Sequence, residues 1–141
     1  MPGRDPGHWL HRFDAAEWLA AAETELAHAQ EKLSHRSVRP GVTHARRAAG
    51  MAWNAVLVTA PSPDERYGRS YMDHVVALAQ AQQNDAAIPA EVRAAAQQLR
   101  DTPAAPPQLV TIGKPDMSAL EAATAIVAFA RIRVGSSLAS P

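Results

Sequence analysis

The sequence predicts an all-α protein, an antiparallel up-and-down bundle of about five helices. Three observations predict it. Between residues 15 and 33, apolar side chains recur at Ala15, Leu19, Ala22, Leu26, Ala29 and Leu33, in alternating steps of four and three. That spacing draws one stripe along a helix. Alanine supplies about a fifth of the 141 residues, which favours helix and permits close helix contact. Finally, breaks rich in Pro and Gly separate helix-sized pieces, and no run of strands alternates with them.

The elements follow in order. Residues 1–11 carry Pro and Gly and read as a loose arm, from which Trp9 can pack back. Asp14 and Glu17 have the spacing of a capping box and start the first helix. Ser34 to Gly41 breaks it, ending in Pro40-Gly41. The second helix is expected over Val42–Ala60, with Ala45, Ala49, Ala52, Val56 and Thr59 inward and Trp53 and Leu57 beside them. Pro61-Ser62-Pro63 stops it. Ser62 and Glu65 can cap a short turn, which Gly68 interrupts.

The third helix starts near Ser70 and presents Tyr71, Val75, Leu78 and Ala81 or Gln82, then decays over Gln82–Asp85. Pro89 suits the first turn of a fourth helix carrying Val92, Ala95, Ala96 and Leu99. Residues 101–115 form a Pro-rich connector, and Leu109–Ile112 is a short extended run that makes no sheet alone. Ser118 and Glu121 cap the last helix, with Leu120, Ala123, Thr124, Val127, Ala130 and Val134 inward. Gly135 suits its C′ position. The expected organisation is one domain over 12–135 and a disordered tail over 136–141.

Composition removes several chemistries. There is no Cys, so disulfides, thiolate metal sites and Cys nucleophiles are excluded. Formal net charge is zero, so no global field attracts nucleic acid or anionic lipid. Arg4, Asp5, Arg12, Asp14 and Glu17 interrupt any signal-peptide core, and no apolar run reaches the roughly 18 residues of a membrane helix. A cytoplasmic protein is expected. Neither glycine fingerprint of nucleotide-binding folds is present. Glu25-x-x-His28 has the spacing of a di-iron motif, but no second copy exists, and Glu31–His35 is a one-helix pair. No metal and no cofactor are expected. Ser34, Ser62 and Ser70 read as caps rather than nucleophiles, since no Gly-x-Ser-x-Gly elbow surrounds them. Asp64, Glu65 and Asp73 offer carboxylates without a glycosidase pattern. Trp9, Trp18, Trp53, Tyr67 and Tyr71 do not interleave with basic residues and read as packing.

Charge is uneven. Residues 1–33 hold six acids and three bases, whereas residues 34–75 hold six Arg and three acids, with His35, His44 and His74 added. This describes either two differently solvated faces or an anion or RNA footprint around Arg36, Arg39, Arg46, Arg47, Arg66 and Arg69. The candidate binding residues are Arg39, His44, Arg46, Arg47 and Arg66.

Arg69-x4-His74 is the candidate catalytic pair. Metal-free RNA cleavage needs a group that titrates near neutrality, such as His, and a multi-donor cation for the phosphate, such as Arg. Arg39-x4-His44 and Arg4-x6-His11 match the same pattern, and roughly 1.5 matches are expected by chance. Within one helix, residues five apart differ by about 140°, so Arg69 must lie outside the helix and fold back. The competing reading buries His74 between helices, bonded to a loop carbonyl or to Asp64.

The order of features resembles the HEPN superfamily of small bacterial helical domains. Trp18-Leu19 with Ala22 and Leu26 resembles its opening helix. His44-Ala45-Arg46-Arg47-Ala48-Ala49-Gly50-Met51-Ala52-Trp53-Asn54-Ala55-Val56-Leu57 resembles its Ala-rich second helix, and His74-Val75-Val76-Ala77-Leu78-Ala79 the segment after its loop. Ile88–Leu99 and Ala119–Val134 resemble the remaining helices. The resemblance implies an antiparallel bundle, often dimeric. Many members are RNases or toxins with an Arg-x4–6-His motif at a dimer interface. Others bind or scaffold, sometimes beside a nucleotidyltransferase. Ser70 stands where active members commonly place Asn, Asp or His. The motif also falls on the third helix, where inactive relatives often keep a structural His. The leading expectation is therefore a non-catalytic, homodimeric binding module, whose partner is protein, RNA or a nucleotide-type ligand. A metal-independent ribonuclease using Arg69 and His74, and a structural subunit of a bacterial complex, are the alternatives.

Overall fold

Helix α1 (Ala15–Ser34) begins where the sequence supplies both halves of a capping box. In the computed structural model, which describes residues 9–60, 65–81, 87–103 and 114–139, Asp14 accepts the Glu17 N–H at 2.8 Å. Glu17 in turn accepts the Asp14 N–H at 3.0 Å. A cap of this kind contributes about 1 kcal/mol. A 3-10 turn, Trp9–Arg12, precedes it and places Leu10 under the helix, where the Leu10 carbonyl accepts Trp18 Nε1–H at 2.9 Å. The predicted stripe is the buried one: Ala15, Leu19, Ala22, Ala29 and Leu33 are core, and Leu26 is half-buried against it.

Helix α2 (Val38–Val58) starts four residues before the expected Val42. Pro40 falls in the first turn, where backbone N–H groups have no intrahelical partner, so its missing donor costs nothing. Gly41 then permits a close approach: a Cβ there would lie 2.5 Å from Leu33 Cδ2. Pro40-Gly41 therefore forms part of a tight helical hairpin rather than a break. Arg36, at φ +61°, makes the reversal. The hairpin is antiparallel, with Gly41 at Leu33 and Arg47 at Glu25. From Ala48 to Ala55 every residue of α2 is buried, which makes it the central helix, packed by α1, α5, α3 and α4. Val56 and Thr59, expected inward, are only half-buried near its end.

Helix α3 (Tyr71–Ala79) has Ser70 as its N-cap, and Ser70 and Asp73 form a second capping box. Gly68, at φ +71°, turns the chain out of a 3-10 turn, Glu65–Tyr67, into this cap. The helix crosses α2 closely: a Cβ at Gly50 would sit 2.3 Å from Tyr71 Cβ. Helix α4 (Ala90–Asp101) follows Pro89, and Val92, Ala95, Ala96 and Leu99 are its buried residues, as the spacing predicts.

Helix α5 (Ser118–Ala139) departs from expectation at three points. Its start is held by Asp116, whose Oδ1 accepts both the N–H and the hydroxyl of Ser118, and not by a Ser118–Glu121 box. Thr124 is exposed and bonds back to the Leu120 carbonyl, while Ala119, Ala122 and Ile126 complete the inner face. Gly135 lies within the helix, which continues to Ala139 instead of ending in a C′ glycine.

Together these five helices make an all-α bundle, with no strand among the described residues. No described helix is long and apolar enough to cross a membrane. Arg4, Ser62, Asp64, Gln82–Asp85, the Leu109–Ile112 segment and the Trp9 side chain lie outside the described residues.

Candidate functional site

The two Arg-x4-His pairs with both members described, Arg69–His74 and Arg39–His44, come to very different surroundings. His74 sits at the fourth position past Ser70 on α3 and is 0% exposed. Its Nδ1 is 2.6 Å from the Tyr67 carbonyl oxygen, and its Nε2 is 2.6 Å from Asn54 Oδ1. A carbonyl only accepts, so Nδ1 carries a proton. Burial pushes the His74 pKa down, against the smaller opposing effects of the Tyr67 bond and the Asp73 charge. The favoured ring is therefore neutral, with Nε2 as acceptor. Asn54 Nδ2 has no partner in its present orientation. Turning the carboxamide over brings Nδ2–H to Nε2 and satisfies both groups. In either orientation His74 ties α2, α3 and the 65–67 turn together. Of the two expected partners, the loop carbonyl is present.

Arg69 lies outside α3, as the spacing requires, and is exposed. Its N–H donates to Asp73 Oδ2 at 3.2 Å, and its described contacts do not include His74. The cap bonds from Ser70 and Arg69 lower the Asp73 pKa. The structure thus leaves Arg69 exposed and His74 in the core, with no contact between them among the described residues.

Arg46, expected among the binding residues, is instead a helix cap. Its Nε–H donates to the Leu99 carbonyl at 2.9 Å, and Nη2–H to the Thr102 and Arg100 carbonyls at 2.7 and 3.4 Å. These are the unsatisfied acceptors at the C-terminal end of α4, where a cation is favoured. Burial lowers its pKa. Arg39 and Arg66 are exposed, 27 positions apart in sequence, at the start of α2 and in the 65–67 turn.

His44 and Arg47 do converge. They stand one turn apart on α2 and meet Glu25 of α1, which is 8% exposed. Glu25 Oε1 accepts His44 Nδ1–H at 2.9 Å and forms an ion pair with Arg47, whose Nε lies 3.2 Å away. The His28 ring lies 5.1 Å from the His44 ring, centroid to centroid, tilted by 34°. A carboxylate at Nδ1 fixes the tautomer of the neutral ring, with Nε2 as the acceptor. This seam gathers two imidazoles, a guanidinium and one carboxylate. Among the described residues no group of His, Asp and Glu is arranged to hold a metal ion.

Sequence reasoning missed Glu25 and Asn54. Glu25 stood out only as half of a metal motif, because its actual partners come from α2 and depend on hairpin register. Asn54 gave a fainter signal, one amide within the apolar stretch of α2. No family model, curated protein or solved structure matches this chain.

Proposed function

We propose that the chain is a non-catalytic, HEPN-like helical interaction module that works as a homodimer. The observation that carries the reading is the burial of His74, whose two ring nitrogens are both engaged by protein groups, the Tyr67 carbonyl and the Asn54 carboxamide, so that no substrate phosphate reaches the ring. Self-association is supported by α5. Its outward face shows Ile132 at 67% exposure, with Ala125 and Ala128 exposed beside it. Ile132 and the two alanines make a short apolar stripe along α5, and this stripe is the surface assigned to the second copy.

The reading is tested by mass measurement in solution together with an RNA-cleavage assay in EDTA. A dimer that Ile132→Glu converts to monomer, and no cleavage, are expected. EDTA-insensitive cleavage that disappears in a folded His74→Ala variant overturns the non-catalytic reading and favours a ribonuclease.

A further inference from the structure

We propose that Asn54 and His74 form a proton-coupled switch inside the bundle. The Asn54 carboxamide donates to the neutral ring, turns over when the ring gains a proton, and then accepts from it, so α2 and α3 stay bonded in both states. The switch is independent of the interaction-module reading. The heavy atoms around the ring set it up. Nδ1 is 2.6 Å from the Tyr67 carbonyl oxygen, and Nε2 is 2.6 Å from the end of the Asn54 carboxamide. His74 and Asn54 are both 0% exposed, so neither has bulk water as an alternative partner.

The Tyr67 carbonyl only accepts, so Nδ1 keeps its proton throughout and the titrating atom is Nε2. Without a proton Nε2 is an acceptor and needs the carboxamide N–H. With a proton taken from solvent it is a donor and needs the carboxamide oxygen. Asn carries both groups on one carbon, nearly equal in size, and its terminal torsion is roughly two-fold. A half-turn therefore exchanges them without moving the backbone or changing the packed volume. An ionised carboxylate or an ammonium in this place serves only one state, since the first only accepts and the second only donates. The groups around the ring decide which state rests. On α3, the adjacent Asp73 charge favours the protonated ring. Helix α2 presents the neutral Asn54, and the 65–67 turn presents the Tyr67 carbonyl while its Arg66 is exposed. Helix α4, packed on α3, has its charges engaged elsewhere or exposed: Arg93 on the Ile88 carbonyl, Arg100 on Asp101, and Glu91 at the surface. Burial disfavours the charged ring and outweighs the help of the Tyr67 bond and the Asp73 charge, so the neutral ring is the resting form.

The test is an acid titration of the full chain followed by NMR. The chain holds two asparagines, Asn54 and Asn84, so labelled Asn carboxamides give a short spectrum to read beside the His74 ring nitrogens. The His74 Nε2 signal is expected to pass from an unprotonated to a protonated shift, with Nδ1 protonated at both ends. The Asn54 carboxamide signals move with the same midpoint, and the Val75 and Leu78 backbone amides keep their native positions through it. Asn54→Asp, an acceptor only, raises the His74 midpoint. Asn54→Leu removes both groups and lowers it, because the charged ring loses the stronger, charge-assisted bond. If either variant fails to fold, the titration of the unaltered chain still decides. An Asn54 signal that stays still while His74 titrates overturns the switch. Loss of the native Val75 and Leu78 signals at the His74 midpoint also overturns it, because the joint then opens instead of reversing. So does a ring that stays neutral until the chain unfolds in acid, or a midpoint unchanged in both folded variants. Failure of the dimer or cleavage experiment leaves these readouts unaffected.

Discussion

His74 and His44 share a local signature, an Arg five positions earlier, and end in opposite environments. His74 is sealed between α2 and α3, and Tyr67 and Asn54 are its partners. His44 is partly open on the α1–α2 seam, and Glu25 is its partner. Neither imidazole is bonded to the Arg of its own motif. Arg39 points from the start of α2 with no described side-chain partner, and Arg69 contributes a backbone N–H to a helix cap. What each His does is fixed by which helix lies opposite, not by spacing along the chain. The core His carries structural work, because a buried polar ring must find partners. The seam His has one described bond, to Glu25, and its side chain is partly open to solvent.

The sharpest way to break this contrast is His74→Ala. It opens a cavity and strands both the Tyr67 carbonyl and the Asn54 amide in the core. A loss of about 3 kcal/mol is expected in denaturant unfolding, combining cavity and unsatisfied-group costs. His44→Ala, at the solvent edge, is expected to lose much less. Equal losses at the two sites remove the distinction between a core histidine and a seam histidine.

Arg46→Ala tests a cation that sequence assigns to binding and the structure assigns to capping. It removes bonds to the Leu99, Thr102 and Arg100 carbonyls. Hydrogen bonds from a charged group contribute about 1.5–3 kcal/mol, so a loss of about 2 kcal/mol is expected. Amide exchange should accelerate at the C-terminal turn of α4 ahead of the other helices. Uniform acceleration through the molecule argues against a local cap.

These two residues also mark how far the sequence carries. Asp14–Glu17 and the Val92, Ala95, Ala96 and Leu99 stripe were legible because capping and helical period are local. Pro40-Gly41 misled for a local reason, since both residues usually interrupt helices. Here Pro40 falls where no N–H is needed, and Gly41 is required by Leu33 from another helix. Gly135 misled in the same way, as a glycine inside a helix looks like its end. Arg46, Glu25 and Asn54 act through partners 53, 19 and 20 positions away. No spacing rule reaches that far without the hairpin register and the close crossing that Gly50 allows.

The pH dependence of folding offers a finer separation. Burial lowers the folded-state pKa of His74, so between that value and the unfolded value of about 6.5 the unfolded chain holds the extra proton. Stability therefore rises with pH across this window. The neutral ring's contribution is complete above the unfolded pKa and is lost as pH falls through the folded pKa. One such group gives a slope of at most about 1.4 kcal/mol per pH unit. His74→Gln should flatten the acid limb of the stability profile, whereas His28→Gln should leave this component in place. An acid limb unchanged by His74→Gln shows that other groups carry it.

The smallest effect belongs to the seam. Arg47→Ala removes an ion pair whose Arg is 46% exposed, and exposed pairs contribute about 0–1 kcal/mol. Glu25 keeps its bond to His44, so no carboxylate is stranded. A change within about 1 kcal/mol is expected in the same unfolding experiment, with Arg39→Ala as the comparison that alters no described side-chain bond. If Arg47→Ala instead approaches the loss seen for His74→Ala, the seam is a structural lock. If stability barely moves while the His44 ring signal shifts, the seam holds its geometry for a purpose other than folding.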